Sequence, residues 1–89
     1  MKKHILVKVT KEHIKKGLQG NCSRCPIALA LRDVTGSDCV VGGITATLKD
    51  LGICYVYYLS EPARNFVYNF DKDRKVKPAT FRIKLHDTN

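Results

Sequence analysis

Several things are scarce in this sequence. Its 89 residues include no Trp, one Met at position 1, and eight acidic residues against sixteen Lys and Arg. No apolar run approaches the ~20 residues of a membrane span. The opening "MKKHILVKVTKEH" resembles a secretion leader only in outline. Its apolar part, Ile5 to Val9, is interrupted by Lys8 and falls short of the ~7–15 residues such a leader needs. A cytoplasmic protein with reduced thiols is therefore the expectation. Paired carboxylates, a phosphate-binding P-loop, GxSxG and HExxH are all missing, so an enzyme is not expected. A Cys25–His13 pair formed in space stays open, because such partners need not be close in sequence. The RRM signature is absent, as is a polar recognition helix for a DNA groove. No repeat, linker or low-complexity segment divides the chain, and its length fits one domain over residues 1–89.

What is present is charge, unevenly spread. Of a formal +8, residues 1–32 carry eight basic side chains against Glu12 alone, and residues 72–84 carry six against Asp73. The stretch between is acidic. Basic ends that meet in the fold would make one positive face, which attracts polyanions such as nucleotides or nucleic acid. Read plainly, the same charge is a solvated, solubilising surface.

The hydrophobic pattern gives β-α-α-β-β-α-β. "HILVKVT" alternates Ile5, Val7 and Val9 as a strand. Thr10 then caps a helix through "KEHIKKGLQ", with Ile14 and Leu18 as its buried stripe and Gly20 at its end. A second helix begins at Pro26, which suits a first helical turn. It places Cys25 at the N-cap and Ile27, Leu31 and Val34 on one face. "CVVGGITATLKD" reads as one strand broken by Gly42-Gly43, with Ile44, Ala46 and Leu48 on one side. "KDLG" is a turn into the strand "ICYVYYLS". Ser60 caps a third helix burying Ala63, Phe66, Val67 and Phe70. "VKPATFRIKL" closes with Phe81, Ile83 and Leu85 on one face and Thr80, Arg82 and Lys84 on the other. The expected fold is α+β: a single two-layer domain with a four-stranded, mainly antiparallel sheet and helices on one face. Exposed strand edges would let two copies pair as a homodimer.

Cys22-Ser-Arg-Cys25 has three readings. A thiol at a helix N-terminus beside Arg24 has the placement of a redox dithiol, but no strand leads into the motif. Zinc is the one cofactor candidate, through Cys22 and Cys25. A structural site normally needs a second ligand pair, and only His4, His13, His86, Cys39 and Cys54 are on offer. The plainest reading makes Cys25 a cap, Cys22 a loop anchor, and Cys39 and Cys54 small core residues. The start of the second helix also suits an anion, with Lys15, Lys16, Asn21, Ser23 and Arg24 around it and Arg64 as an outlying candidate. Tyr55, Tyr57 and Tyr58 could stack on bases if exposed.

The segments "VTKEHIKKGLQGNCSRCPIALALRD" and "ARNFVYNFDKDRKVKPATFRIKL" resemble a group of small uncharacterised bacteriophage proteins. That group has a C-x-x-C-P-[IV]-A-L-A-L helix and a C-terminal V-x-P-x-x-F strand. The resemblance implies a phage-encoded protein acting in the host cytoplasm and carries no established activity of its own; with the catalytic motifs missing, a non-enzymatic binding module is the expectation. Many small phage proteins of this kind inhibit host defences, by binding a nuclease complex or by sequestering signalling nucleotides. The expected function is thus anti-defence capture of a nucleotide signal or another anionic target, with a host defence protein or nucleic acid as other partners. The alternatives are a zinc-stabilised structural or protein-interaction module, or a nucleic-acid-binding protein.

Overall fold

Alternating burial along the strands and one buried stripe on each longer helix build two layers in a computed structural model, which describes residues 2–86. The elements are β1 (His4–Val9), α1 (Lys11–Lys16), α2 (Pro26–Thr35), β2 (Asp38–Val41), β3 (Thr45–Asp50), β4 (Ile53–Leu59), α3 (Glu61–Asp71) and β5 (Ala79–Leu85). The five strands form one antiparallel sheet in the order β1-β5-β4-β3-β2. No described helix is long and apolar enough to cross a membrane.

The α+β class stands, but the expected four-stranded pattern is wrong. The glycine-broken strand is two strands, β2 and β3, folded back on each other with Val40 opposite Thr47 and Val41 opposite Ala46. Gly42 N–H donates to the Thr45 carbonyl at 2.8 Å, so Gly43 and Ile44 make the reversal. Ile44 consequently lies at the exposed tip rather than in line with buried Ala46 and Leu48. The β3–β4 turn is tighter. Leu51 and Gly52 have φ of 51° and 78° between paired Asp50 and Ile53, as in a type I′ turn. Leu51 is 94% exposed.

The helices also depart from expectation in detail. α1 stops at Lys16, and Leu18 beyond it is exposed. Its capping box is formed by Thr10 and His13. Gly17 is the C-cap, with extended backbone, and its lack of a side chain has a steric reason: a Cβ there would lie 2.7 Å from both Cγ and Cδ of Pro26. Ser60 occupies the α3 N-cap but makes no side-chain cap bond. The α3 face of Ala63, Phe66, Val67 and Phe70 is buried as its spacing predicts, with Phe66 packed edge-on against Phe81 at 5.3 Å. Cys39 is buried, whereas Cys54 is exposed and contributes nothing to the core.

α2 packs against both β1 and β2, the outermost strands of the sheet, while α3 covers β4 and β5. One helix can reach both ends only if the sheet curls around it. The two sheet edges then differ. At the β2 edge, Val41 N–H donates to the Cys22 carbonyl at 2.8 Å. Arg32 Nη2 donates to the Cys39 carbonyl at 3.1 Å, and its Nη1 to the Ser23 carbonyl. At β1, Leu85 N–H donates to the Lys3 carbonyl. In this register Ile5, Val7 and Val9 face β5, and the backbone groups of His4, Leu6 and Lys8 point away from the sheet.

Two substitutions test this account by thermal denaturation. Leu51→Asn relieves a left-handed leucine and should stabilise by roughly 0.5–1 kcal/mol, a few degrees in Tm. Gly17→Ala forces the rigid Pro26 ring away and should destabilise by about 1–3 kcal/mol.

Candidate nucleic-acid interface

The sheet face turned away from the helices is built by strand alternation. Its residues are His4, Leu6 and Lys8 of β1, Thr80, Arg82 and Lys84 of β5, Cys54, Val56 and Tyr58 of β4, Thr45, Thr47 and Lys49 of β3, and Asp38 and Val40 of β2. Strand register joins His4, Lys84, Tyr58 and Thr45 into one row across four strands. Neighbours in such a row stand about 4.5–5.5 Å apart. His86 meets Tyr58 edge-on, with ring centroids 5.0 Å apart. Arg82 lies two residues from Lys84 on the same face of β5. Lys8, Lys49, Arg82 and Lys84 are all exposed, and Asp38, opposite Lys49, is the one acid of this face among the described residues.

The helical layer uses its charges differently. His13 Nδ1 accepts from Thr10 N–H at 3.0 Å, which leaves the ring proton on Nε2 to donate to Asp33 Oδ2 at 2.6 Å. Lys16 pairs with Glu12 at 3.1 Å. Gln19 Nε2 donates to Asp73 at 2.9 Å, and Gly20 N–H to Asp71 at 3.1 Å. His13 is thereby committed to tying α1 to α2.

The residues singled out around the start of α2 have varied surroundings. Lys15, Lys16, Arg24 and Arg64 are exposed, and Asn21 and Ser23 are half-buried. Asn21 Oδ1 accepts from Ser23 N–H, Ser23 Oγ and Arg24 N–H at 3.0–3.1 Å, so it closes its own loop. Pro26 has no N–H, Ala28 N–H donates to the Cys25 sulfur at 3.4 Å, and Pro26, Ile27 and Ala28 are buried. The helix start is filled by its own cap. Of the three tyrosines, Tyr57 is buried, with its hydroxyl donating to the Lys2 carbonyl at 2.6 Å. Tyr55 packs against the core, and Tyr58 is 44% exposed.

The zinc expectation is corrected here. Among the described residues no three His, Cys, Asp or Glu side chains gather where they could hold a metal ion. Cys25 points inward as the α2 cap, Cys22 is exposed, and His13 is held by Thr10 and Asp33. Burial pushes the Cys25 thiol above its ordinary value, outweighing the backbone hydrogen bonds from Ala28 and Ile27 that pull it down. A thiol raised in this way is a poor attacking nucleophile, which argues against that role for Cys25.

No family model, curated protein or solved structure matches the chain. The functional reading therefore rests on the geometry of the sheet face. Sequence spacing already separates Arg82 and Lys84 from Phe81 and Ile83. Nothing in it announces that Tyr58 stands beside Lys84, because that depends on β4 pairing with β5.

Thiol chemistry tests the cysteine assignments. Cys22 and Cys54 should react with a disulfide reagent in the folded protein, and Cys25 and Cys39 only on unfolding. Burial raises the Cys25 and Cys39 thiols, so the unfolded chain loses these protons at lower pH than the fold does. Their contribution is complete below the ordinary thiol range and fades as pH rises above it. Cys25→Ser keeps a capping acceptor that does not titrate, and urea titrations should show a shallower alkaline loss of stability.

Proposed function

We propose that the protein binds single-stranded nucleic acid across the open face of its sheet. The observation that carries this is the row His4–Lys84–Tyr58, flanked by His86 and Arg82. Cations set beside an exposed aromatic ring are the two parts a sequence-tolerant single-strand binder needs: charge to follow the phosphates and a flat face for a base. The face is broad and lies on the outside of the curl, which suits a polymer laid over it better than a small nucleotide held in a closed site. Part of the positive potential comes from strands at the two ends of the sequence, Lys8 of β1 and Arg82 and Lys84 of β5, which pair in the sheet.

Fluorescence anisotropy with a labelled oligothymidylate over a range of salt tests the reading. Arg82→Ala with Lys84→Ala should weaken binding and reduce the salt slope by roughly 1.4, about 0.7 for each phosphate no longer neutralised. Tyr58→Ala should cost about 1–3 kcal/mol of binding with a smaller change in slope. Loss of binding on replacing Lys15, Lys16 and Arg24 by Ala, with Arg82 and Lys84 dispensable, would move the site to the start of α2 and overturn this placement. Displacement of the oligonucleotide by equimolar mononucleotide would favour capture of a small signal instead.

A further inference from the structure

The two edges of the sheet are finished to different degrees. At the β2 edge, the Cys22 carbonyl and the Arg32 guanidinium take up Val41 N–H and the Cys39 carbonyl. At the β1 edge, the outward backbone groups of His4, Leu6 and Lys8 meet no hydrogen-bonding partner among the described residues. A ladder left open in this way accepts another strand about 4.7–4.9 Å away.

A second observation lies beside it. Val34 follows Ile27 and Leu31 on the core-facing stripe of α2, at i+7 and i+3. Those two are 0% exposed, yet Val34 is 55% exposed. Its apolar side chain faces a groove of about 540 Å³ between the end of α2 and β1, lined by Lys2, His4, Ile5, Leu6, Val34 and Thr35. A sixth strand paired to β1 would place alternate side chains in this groove and cover Val34. The stripe on α2 is thus longer than the sheet beneath it, by about one strand.

We propose that the β1 edge takes up an extended, acidic segment of a partner protein as a sixth strand. The main chain would pair with His4, Leu6 and Lys8, and one apolar side chain of each alternate pair would enter the groove against Ile5 and Val34. Charge selects the occupant. Lys2, Lys3, His4 and Lys8 are exposed along this edge, and acidic residues on the incoming strand would lie opposite them. The same lysines oppose a second copy of this chain, because a two-fold β1–β1 pairing centred on Leu6 brings Lys2, Lys3 and Lys8 of both copies together along one pair of edges.

The probe is a short fluorescein-labelled peptide of alternating Glu and Val, with a Lys-Val peptide and an alternately N-methylated Glu-Val peptide as controls. Anisotropy should show binding of the Glu-Val peptide alone. N-methylation, which removes the main-chain donors facing β1, should weaken it at least about ten-fold. Val34→Glu should weaken it by a similar factor through a repelling charge in the groove. Hydrogen exchange should show the amides of His4, Leu6 and Lys8 exchanging freely in the free protein and protected with peptide. Arg82→Ala with Lys84→Ala should leave that protection in place, which separates this edge from the nucleic-acid face. Equal binding of the N-methylated peptide would mean charge attraction without strand pairing, and would overturn the proposal. So would protection confined to other strands, or a dimer in sedimentation that Val34→Glu dissociates. If Val34→Glu fails to fold, the N-methylated peptide on the unaltered protein decides.

Discussion

A single ten-residue helix, α2, is shared between the two outermost strands of a five-stranded sheet. That sharing is the constraint from which the rest follows. The sheet must curl for β1 and β2 to reach the same helix, and small buried side chains at Ala28 and Ala30 let the backbones approach. The start of α2 must be placed accurately, which explains why the segment before it is so densely bonded. Cys25 caps the helix, Asn21 closes the loop, Cys22 and Ser23 lend their carbonyls to Val41 and Arg32, and Gly17 leaves room for Pro26. What looks like an active-site motif is the joint that fixes a helix against a sheet edge.

The two layers use their acidic residues differently. In the helical layer, Glu12, Asp33, Asp71 and Asp73 each meet a partner, and Asn21 and Arg32 satisfy backbone groups. On the sheet face, Lys8, Lys49, Arg82 and Lys84 come from three strands, and among the described residues the one acid, Asp38, stands opposite Lys49 at the far edge from β1. Charges of one sign gathered on a surface repel each other, so this arrangement costs stability unless a polyanion relieves it.

Much of the fold is legible from pattern alone. Pro26 after Cys25 marks the start of α2, the i, i+3, i+4, i+7 spacing gives the buried face of α3, and strict alternation gives β1 and β5. The β2–β3 reversal escapes such a reading because Gly43-Ile44 is not a recognised hairpin dipeptide and apolar residues flank it on both sides. Periodicity misplaces Ile44 and Leu18 because it continues past the point where an element ends. Val34 does belong to the α2 stripe, but the stripe outruns its cover, and only tertiary structure shows where a sheet stops. The candidate site is partly visible: Arg82 and Lys84 fall on the polar face of their strand. Their union with Tyr58, His86 and His4 comes from register between strands far apart in sequence. The start of α2 suggests an anion site because sequence shows a helix terminus without showing that its own cap fills it.

Pairing of β1 with β5 joins the first strand to the last, with His4 opposite Lys84. During synthesis β1 emerges well before the strand that will hold it, and α2 before β2, the second strand it will bridge. The β2-β3-β4 meander needs only short loop closures and is free to form early. β1 must wait until nearly the whole described chain has been made, and closing so long a loop slows folding. The strand whose outer edge stays open in the finished protein is therefore also the one that remains longest without a neighbouring strand, and Lys8, with Lys2 and Lys3 just before the strand, guards the nascent chain against pairing with the wrong strand.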